Sequence, residues 1–312
     1  RRRWLGLRLE LIHDGAQSMR GFGLYELGIG RKSMNNTLQI TSQGALGALV
    51  KNIDLAQVTD DQLQQLRQAF AEHEVLFFEN QGMAPETHLA FAQRWGDINI
   101  NRFFTHVEGY PAIAQVVKEP EQQGNIGGYW HTDHSYDQSP ALGSMLLARQ
   151  VPPTGGDTLF ASCTRAYASL SKGMQEMLLS LRAVHSSRHV FGEQAPYMGQ
   201  MEGRLGNSDA ANQDAVHPVV IRHPLSGRPS LYVNPGFTLR FEGWTDKESA
   251  PLLEFLYQHI GRAEHTIRFQ WREGALAFWD NRATWHWAVN DYHGSRREMH
   301  RVTIEGEELS AA

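Results

Sequence analysis

The sequence predicts a mainly β domain with flanking helices, of the double-stranded β-helix or jelly-roll type. Short runs rich in β-branched and aromatic residues recur through most of the chain, and Gly, Pro and Asn separate them. Two helical patterns lie near the front, and strands do not alternate regularly with helices as they would in a parallel sheet. The predicted strands cover residues 38–41, 75–78, 113–117, 143–148, 219–223, 231–233, 265–271, 276–279 and 299–305.

Four helices are indicated along the chain. Thr59 is followed three residues later by Gln62, the spacing of a capping box, and apolar residues then recur at helical intervals as far as Phe70. This helix leads into the buried strand at residues 75–78. A second capping box opens at Thr245 and predicts a helix that runs to about residue 259. The other two helices are predicted over residues 85–95 and 170–181.

Residues 1–33 differ in character from the rest of the chain. They open on three arginines and contain neither an uninterrupted apolar core nor a small-residue cleavage site, so they do not resemble a secretory signal. Strand-like sequence begins shortly after Met34. We expect residues 34–312 to form a single functional domain, with residues 1–33 as an extension outside it. An N-terminal arm that packs on the domain is the alternative.

Composition argues against several classes of function. The net charge of −5 and the lack of a basic block give no support to a nucleic-acid partner. The strongest apolar run is only four residues long, at 75–78, so no membrane partner is expected. Cys163 is the one cysteine, which excludes an internal disulfide. Together these features predict a cytoplasmic protein that acts on a small molecule.

The most informative motif is His131 and Asp133, joined by a distant His286. Two histidines and one carboxylate form the facial triad of non-haem Fe(II) oxygenases, which leaves positions on the metal open. If the segment is a strand, residues i and i+2 point to the same face, so His131 and Asp133 reach one metal while Thr132 faces away. We then expect His134 to support the site from outside or to lie on the surface.

By itself a His-x-Asp pair is weak, because the chain has 15 histidines and chance pairs are expected. The same three ligand types can also hold zinc in a hydrolase, although no paired general base is evident. Five segments in order, two of which contain the triad itself, give it its context. They are residues 130–133 (WHTD), 155–158 (GGDT), 233–237 (VNPGF), 279–286 (WDNRATWH) and 296–301 (RREMHR).

On these motifs, the chain resembles the taurine dioxygenase family, which includes the 2,4-dichlorophenoxyacetate dioxygenases, from about Leu38 to Glu305. The resemblance implies a double-stranded β-helix that uses Fe(II), with 2-oxoglutarate and O2 as co-substrates. It also implies His131, Asp133 and His286 as catalytic metal ligands. The presence of Asp133 argues against the halogenases of this chemistry, which lack the carboxylate ligand.

Further residues carry over from the same resemblance. Thr158 and Arg297 match the pair that holds the distal carboxylate of 2-oxoglutarate, and a guanidinium offers a planar fork suited to a carboxylate. Arg301 matches the residue that grips the anionic head of the substrate. Asp280 and Asn281 are interpreted as bracing the turn before His286.

Departures from the family pattern concern the substrate. Asn101 and Phe104 align with a histidine and a tyrosine of taurine dioxygenase, and Gly127 replaces an asparagine that contacts taurine. Phe237 matches an aromatic wall. Taurine itself is therefore disfavoured, and an apolar pocket for a bulkier acid is expected. Other residues considered for this pocket are Phe103, Tyr129 and Tyr136, with His106 and Lys118 as polar candidates.

The sequence thus predicts an Fe(II)- and 2-oxoglutarate-dependent dioxygenase that hydroxylates a small organic acid, releasing succinate and CO2. The acid would be a sulfonate, a sulfate, or an aryloxy or alkyl carboxylate. The alternative is a cupin-like protein that binds a metal and a small molecule without turnover. Relatives of this family are often dimers or tetramers, so a homo-oligomer is an open alternative to a monomer.

Overall fold

A computed structural model describes residues 38–201 and 203–312. The predicted extension over residues 1–33 lies outside these residues, as does the start of the predicted domain at Met34. Within the described ranges, no helix has both the length and the apolar character needed to cross a membrane.

Seven α-helices and seventeen strands are described, and they make the fold mainly β with flanking helices. The helices are α1 Asp60–His73, α2 Pro85–Gln93, α3 Cys163–Ala168, α4 Lys172–Leu179, α5 Arg188–Phe191, α6 Pro196–Gln200 and α7 Asp246–Ile260. The strands are β1 Gln39–Ser42, β2 Ala48–Lys51, β3 Val75–Phe78, β4 Ile98–Asn99, β5 His106–Val107, β6 Tyr110–Lys118, β7 Gly143–Gln150, β8 Thr158–Ser162, β9 Arg182–Ser186, β10 Asp214–Pro218, β11 Val220–Arg222, β12 Pro229–Leu231, β13 Thr238–Phe241, β14 Thr266–Phe269, β15 Leu276–Asp280, β16 Thr284–Ala288 and β17 Arg297–Ile304.

The largest sheet has nine strands in the order β1-β2-β3-β15-β7-β17-β6-β5, and β4 pairs with β17. All its pairings are antiparallel except that of β2 with β3. Helices α1 and α2 cover one of its faces. The ring of Phe70 on α1 stacks on Phe278 of β15, with 4.1 Å between centroids. This apolar layer makes the nine-stranded sheet a rigid platform for the residues on its other face.

A three-stranded sheet, β14-β8-β16, packs against that other face. Phe160 of β8 lies between Phe77 and Trp279 of the large sheet, at centroid distances of 5.7 and 5.6 Å. A further three-stranded sheet (β10-β9-β13) and the pair β11-β12 complete the β structure. Their apolar residues share one cluster with α3 and α7. The strands β8, β16 and β17 thus meet where two sheets face each other.

The helix predictions are confirmed, with small differences at the ends. Both capping boxes form: Gln62 N donates to Thr59 Oγ1 at 3.2 Å, and Glu248 N donates to Thr245 Oγ1 at 3.3 Å. Helix α4 begins only at Lys172, because Ser171 caps its first turn. Eight strands that are short and mix polar with apolar residues were not predicted, namely β2, β4, β5, β8, β9, β10, β13 and β16.

A buried charged cluster braces the turn between β15 and β16. Asp280 accepts hydrogen bonds from Arg282 Nε (2.9 Å) and Nη2 (2.8 Å) and from His223 Nε2 (2.9 Å), and none of the three side chains is more than 1% exposed. Thr284 Oγ1 also donates to the Asp280 carbonyl at 2.8 Å. These contacts agree with the bracing role expected for Asp280.

Replacing Arg282 by methionine should destabilise the protein by about 3–5 kcal/mol, because a buried carboxylate loses its main partner. Burial alone would raise the pKa of Asp280, but Arg282 and His223 outweigh it and hold that pKa below its usual value. In the wild type this stabilisation is therefore present above the unfolded-state pKa and is lost as the pH falls. In Arg282→Met the Asp280 carboxyl can protonate. The loss of stability relative to the wild type should therefore become smaller as the pH falls to 5.

Urea denaturation of the wild type and Arg282→Met at pH 8 and pH 5 measures this difference. The double variant Arg282→Met/Asp280→Asn is the control, since it removes both charges and should regain part of the stability. A deficit that is equal at the two pH values, or no recovery in the double variant, would contradict the buried-charge explanation.

Candidate active site

His131, Asp133 and His286 come together between the facing sheets. His131 and His286 form an isolated β-bridge, in which His131 N donates to the His286 carbonyl at 3.1 Å and His286 N to the His131 carbonyl at 2.8 Å. The two rings have centroids 4.1 Å apart. Asp133 lies 3.9 Å from each Nε2 atom. One ligand atom of each residue falls within 4.8 Å of the others, so the three could hold one metal ion.

The expectation that His131 and Asp133 share a regular strand is wrong. Only His131 makes a bridge, and Asp133 already begins a turn. His134 follows with a φ of 60°, a left-handed conformation in which histidine is enriched over most residues. Its side chain is buried, and its Nδ1 lies 2.9 Å from Asp137 Oδ2. The turn therefore directs His134 inward, and a surface position for it is excluded.

The protonation states of the three residues suit metal binding. Burial lowers the pKa of His131, and burial together with His131 lowers the pKa of His286 well below its usual value. The Nδ1 of His131 is 2.8 Å from the Tyr129 carbonyl, which assigns its proton there and leaves Nε2 as a lone-pair donor. Burial would raise the pKa of Asp133, but the charge of the neighbouring Arg301 holds it below its usual value. Two neutral imidazoles and one carboxylate result.

A cavity of about 750 Å³, including its open mouth, adjoins the three residues. The residues assigned to 2-oxoglutarate and to the substrate all line it, namely Thr158, Arg297, Arg301, Phe237, Asn101 and Phe104. Tyr129 and Tyr136 also line it, as expected. Several other lining residues were not predicted for the site, namely Val116, Ile126, Leu146, Phe191, Tyr197, Trp279 and Ala288. Phe103, His106 and Lys118 are not among the lining residues.

The lining divides between strands and loops. His286, Arg297 and Arg301 lie on β16 and β17, and Thr158 begins β8. The aromatic wall comes from elsewhere, because Phe104 and Phe237 lie in loops and Phe191 and Tyr197 lie on α5 and α6. Tyr197 is tied to the site by its hydroxyl, which accepts a hydrogen bond from Gly127 N at 3.0 Å. No periodic pattern marks these short helices in the sequence.

Arg297 fits a carboxylate ligand. Its side chain is 4% exposed, and within the described structure its Nε and Nη2 atoms have no hydrogen-bond partner. Leaving charged donors unpaired in the interior is unfavourable, so the site suits an anion. Trp271 Nε1 donates to Thr158 Oγ1 at 2.9 Å, which leaves the Thr158 proton available to an acceptor in the cavity. Trp271 lies in a predicted strand, but no motif predicts its contact with Thr158.

Arg301 has two neighbours that the sequence did not reveal. Its Nη1 atom lies 3.3 Å from both carboxylate oxygens of Asp133. Its guanidinium carbon lies 4.4 Å from the ring centroid of Phe104, a cation–π contact. Asn101 supports this wall, because its Oδ1 accepts hydrogen bonds from Phe103 N and Phe104 N at 2.9 and 3.2 Å. Arg301 is thus held beside the carboxylate of the metal site.

A cavity that joins a two-histidine, one-carboxylate centre to buried arginines is the arrangement of a non-haem iron oxygenase. The chain belongs to the family described as taurine catabolism dioxygenase TauD, TfdA, whose profile matches residues 37–303. It is an Fe(II)- and 2-oxoglutarate-dependent dioxygenase. The structure thereby agrees with the chemistry expected from the motifs.

Named relatives cover most of the chain. It is 33% identical to an alkylsulfatase of Acinetobacter baylyi, over 86% of this chain and 85% of the relative. It is 31% identical to an alpha-ketoglutarate-dependent sulfate ester dioxygenase of Pseudomonas putida, over 85% of this chain and 88% of the relative. Among solved structures, a taurine dioxygenase from Burkholderia xenovorans matches with a TM-score of 0.74 and 32% identity, covering 87% of this chain and 92% of that one.

Proposed function

We propose that the enzyme hydroxylates small organic monoanions with an apolar body, and that sulfate esters are its preferred class. Each turnover would consume one O2 and one 2-oxoglutarate and yield the hydroxylated acid, succinate and CO2. The observation that carries this proposal is the single cavity that contains the metal triad, Arg297 and Arg301. Arg297 would bind the carboxylate of 2-oxoglutarate and Arg301 would bind the anionic group of the substrate.

Each role within this proposal rests on a contact already described. His131, Asp133 and His286 would hold Fe(II), which with 2-oxoglutarate supplies the oxidising power for C–H hydroxylation. Arg297 and Thr158 would hold the distal carboxylate of 2-oxoglutarate. Their scaffold would be a double-stranded β-helix within a single domain of residues 34–312. The two facing sheets and the likeness to the Burkholderia structure support that assignment.

The charge of the cavity supports a monoanionic substrate. Asp133 is the only acid among the described residues that line the cavity, and Arg301 already lies against it. A substrate ammonium group would therefore meet no free counter-charge, which disfavours amino acids and aminosulfonates. The aromatic wall instead offers apolar surface, and burial of each substrate methylene group contributes about 0.8 kcal/mol. Arg301 would place the anionic head while this wall positions the carbon to be hydroxylated.

A sulfate head is supported by the two relatives named for sulfate ester substrates. Hydroxylation of the carbon that bears the ester oxygen would replace one C–H bond by C–OH. The product would then eliminate hydrogen sulfate and leave an aldehyde. Release of inorganic sulfate and of an aldehyde is therefore a direct readout of this substrate class, whereas a sulfonate hydroxylated at the same position would release sulfite.

Succinate release from hexyl sulfate, hexanesulfonate, phenoxyacetate and taurine tests the proposal. We expect kcat/KM for hexyl sulfate to exceed that for taurine at least about tenfold, because an apolar tail of three further methylene groups and a methyl group replaces an ammonium at the apolar wall. In Arg301→Leu, kcat/KM for hexyl sulfate should fall about 10–100-fold, the loss of a hydrogen bond to a charged group. The KM for 2-oxoglutarate should change little. Equal effects on both acids, or taurine as the best substrate, would overturn the assignment.

A further inference from the structure

A chain of two hydrogen bonds lies behind the metal-site carboxylate. The Oγ atom of Ser144, on β7, is 3.0 Å from Asp133 Oδ2. The Nδ2 atom of Asn281 is 3.2 Å from the same Ser144 Oγ. Ser144 is fully buried and Asn281 is 1% exposed, so no bulk water competes for these groups. Neither residue lines the cavity.

The direction of the chain follows from the number of protons. A serine hydroxyl has one proton to donate, and an ionised carboxylate can only accept. Since Asn281 Nδ2 donates to Ser144 Oγ, the Ser144 proton is directed to Asp133 Oδ2. Asn281 therefore acts on Asp133 through Ser144. Arg301 Nη1 lies 3.3 Å from both carboxylate oxygens of Asp133, so it does not single out Oδ2 as Ser144 does.

The main-chain N and the main-chain carbonyl of Asn281 each make a hydrogen bond. Its backbone N donates to the Leu142 carbonyl at 3.0 Å. Its own carbonyl accepts a hydrogen bond from Thr132 Oγ1 at 2.6 Å, and Thr132 lies between His131 and Asp133. Asn281 thus restrains the backbone between those two residues and, through Ser144, the Asp133 side chain. This contact explains why Thr132 turns away from the cavity.

We propose that Ser144 and Asn281 are positioning residues that engage Asp133 Oδ2 and present the carboxylate to the metal through a single oxygen. This rests on the proposed role of Asp133 as a ligand of Fe(II). A carboxylate can bind a metal through one oxygen or two, and a second bond would occupy a position needed by 2-oxoglutarate or O2. Groups outside a metal's own ligands that orient a ligand affect affinity by about 10–100-fold.

Mn(II) binding to the purified protein without oxygen, followed by electron paramagnetic resonance, tests the proposal without turnover. Ser144→Ala should weaken Mn(II) binding about 10–100-fold. Ser144→Cys, which keeps a weak donor in a similar shape, should lie between Ser144→Ala and the wild type. Ser249→Ala is the matched control, because Ser249 is a buried serine with two hydrogen bonds on α7, away from the cavity. It should change thermal stability but leave Mn(II) affinity as in the wild type.

Coupling between the two residues provides the sharper readout. If Asn281 acts through Ser144, the double variant Ser144→Ala/Asn281→Ala should bind Mn(II) about as well as Ser144→Ala alone. Independent structural effects would instead multiply. A Mn(II) affinity in Ser144→Ala equal to that of the wild type, or fully multiplicative losses of affinity in the double variant, would overturn the inference. If Ser144→Ala fails to fold, the Mn(II) affinity of Ser144→Cys decides between these outcomes. Wild-type affinity in Asp133→Ala would instead refute the proposed ligand set, so the two failures are distinguishable.

Discussion

The substitution Asp133→Ala should reduce the rate of 2-oxoglutarate-dependent turnover more than 100-fold. The carboxylate is the only anionic group in the triad, and its loss should exceed the 10–100-fold effect typical of groups that merely support a ligand. The variant should also bind Fe(II) weakly, because two neutral imidazoles remain. Succinate release and anaerobic Fe(II) titration measure the two effects on the same preparation.

Asp137→Asn is the matched control for this variant. Asp137 belongs to the same segment and contacts His134 and Arg102, but it does not line the cavity. It should keep most of the Fe(II) affinity while losing some thermal stability. Normal succinate yield from Asp133→Ala in the presence of substrate would show that the carboxylate is not required.

Arg297→Met should raise the KM for 2-oxoglutarate by about 10–100-fold, since a hydrogen bond to a charged group contributes about 1.5–3 kcal/mol. The ligand-free variant should nevertheless be as stable as the wild type or more so. The wild-type guanidinium is buried with two unpaired nitrogen atoms, and replacing a buried charge by an apolar side chain is often neutral or stabilising. Stability and co-substrate affinity should therefore change in opposite directions.

Thermal unfolding with and without 2-oxoglutarate, in the presence of Mn(II), measures both quantities. A ligand that binds only the folded state raises its melting temperature, so the shift caused by 2-oxoglutarate should shrink in Arg297→Met. Arg297→Lys keeps the charge but loses the planar fork. Its KM for 2-oxoglutarate should lie between those of the wild type and Arg297→Met. A full 2-oxoglutarate shift in Arg297→Met would place the co-substrate elsewhere.

The sequence was sufficient for the parts of the site that depend on short motifs. The triad, Thr158 and the two arginines occupy recognisable segments, and the capping boxes at Thr59 and Thr245 mark two helices directly. The capping boxes depend on residues three apart in the chain, so local spacing reveals them, whereas the triad, Thr158 and the two arginines were assigned from the resemblance of their motifs to the taurine dioxygenase family.

Contacts between distant segments could not be predicted in the same way. The approach of Arg301 to Asp133 and the hydrogen bond between Tyr197 and Gly127 depend on how separate elements pack. The turn after His131 was also missed, because alternation assumes a regular strand and the left-handed φ of His134 ends it. Short strands such as β8 and β16 have too few residues to show a period.

The division of the cavity between strands and loops has an evolutionary consequence. Strands β8 and β17 pair with a strand on each side and β16 pairs with β8, so substitution of their residues disturbs a sheet as well as the chemistry. The wall residues Phe104, Phe191, Tyr197 and Phe237 lie on loops and short helices, which tolerate change more readily. New substrates can therefore be acquired by altering the wall while the reaction is inherited unchanged. Directed evolution aimed at these four positions should diversify substrate choice, and substitutions that keep an apolar side chain should be tolerated best, because Phe104, Phe191 and Phe237 are buried in one aromatic cluster.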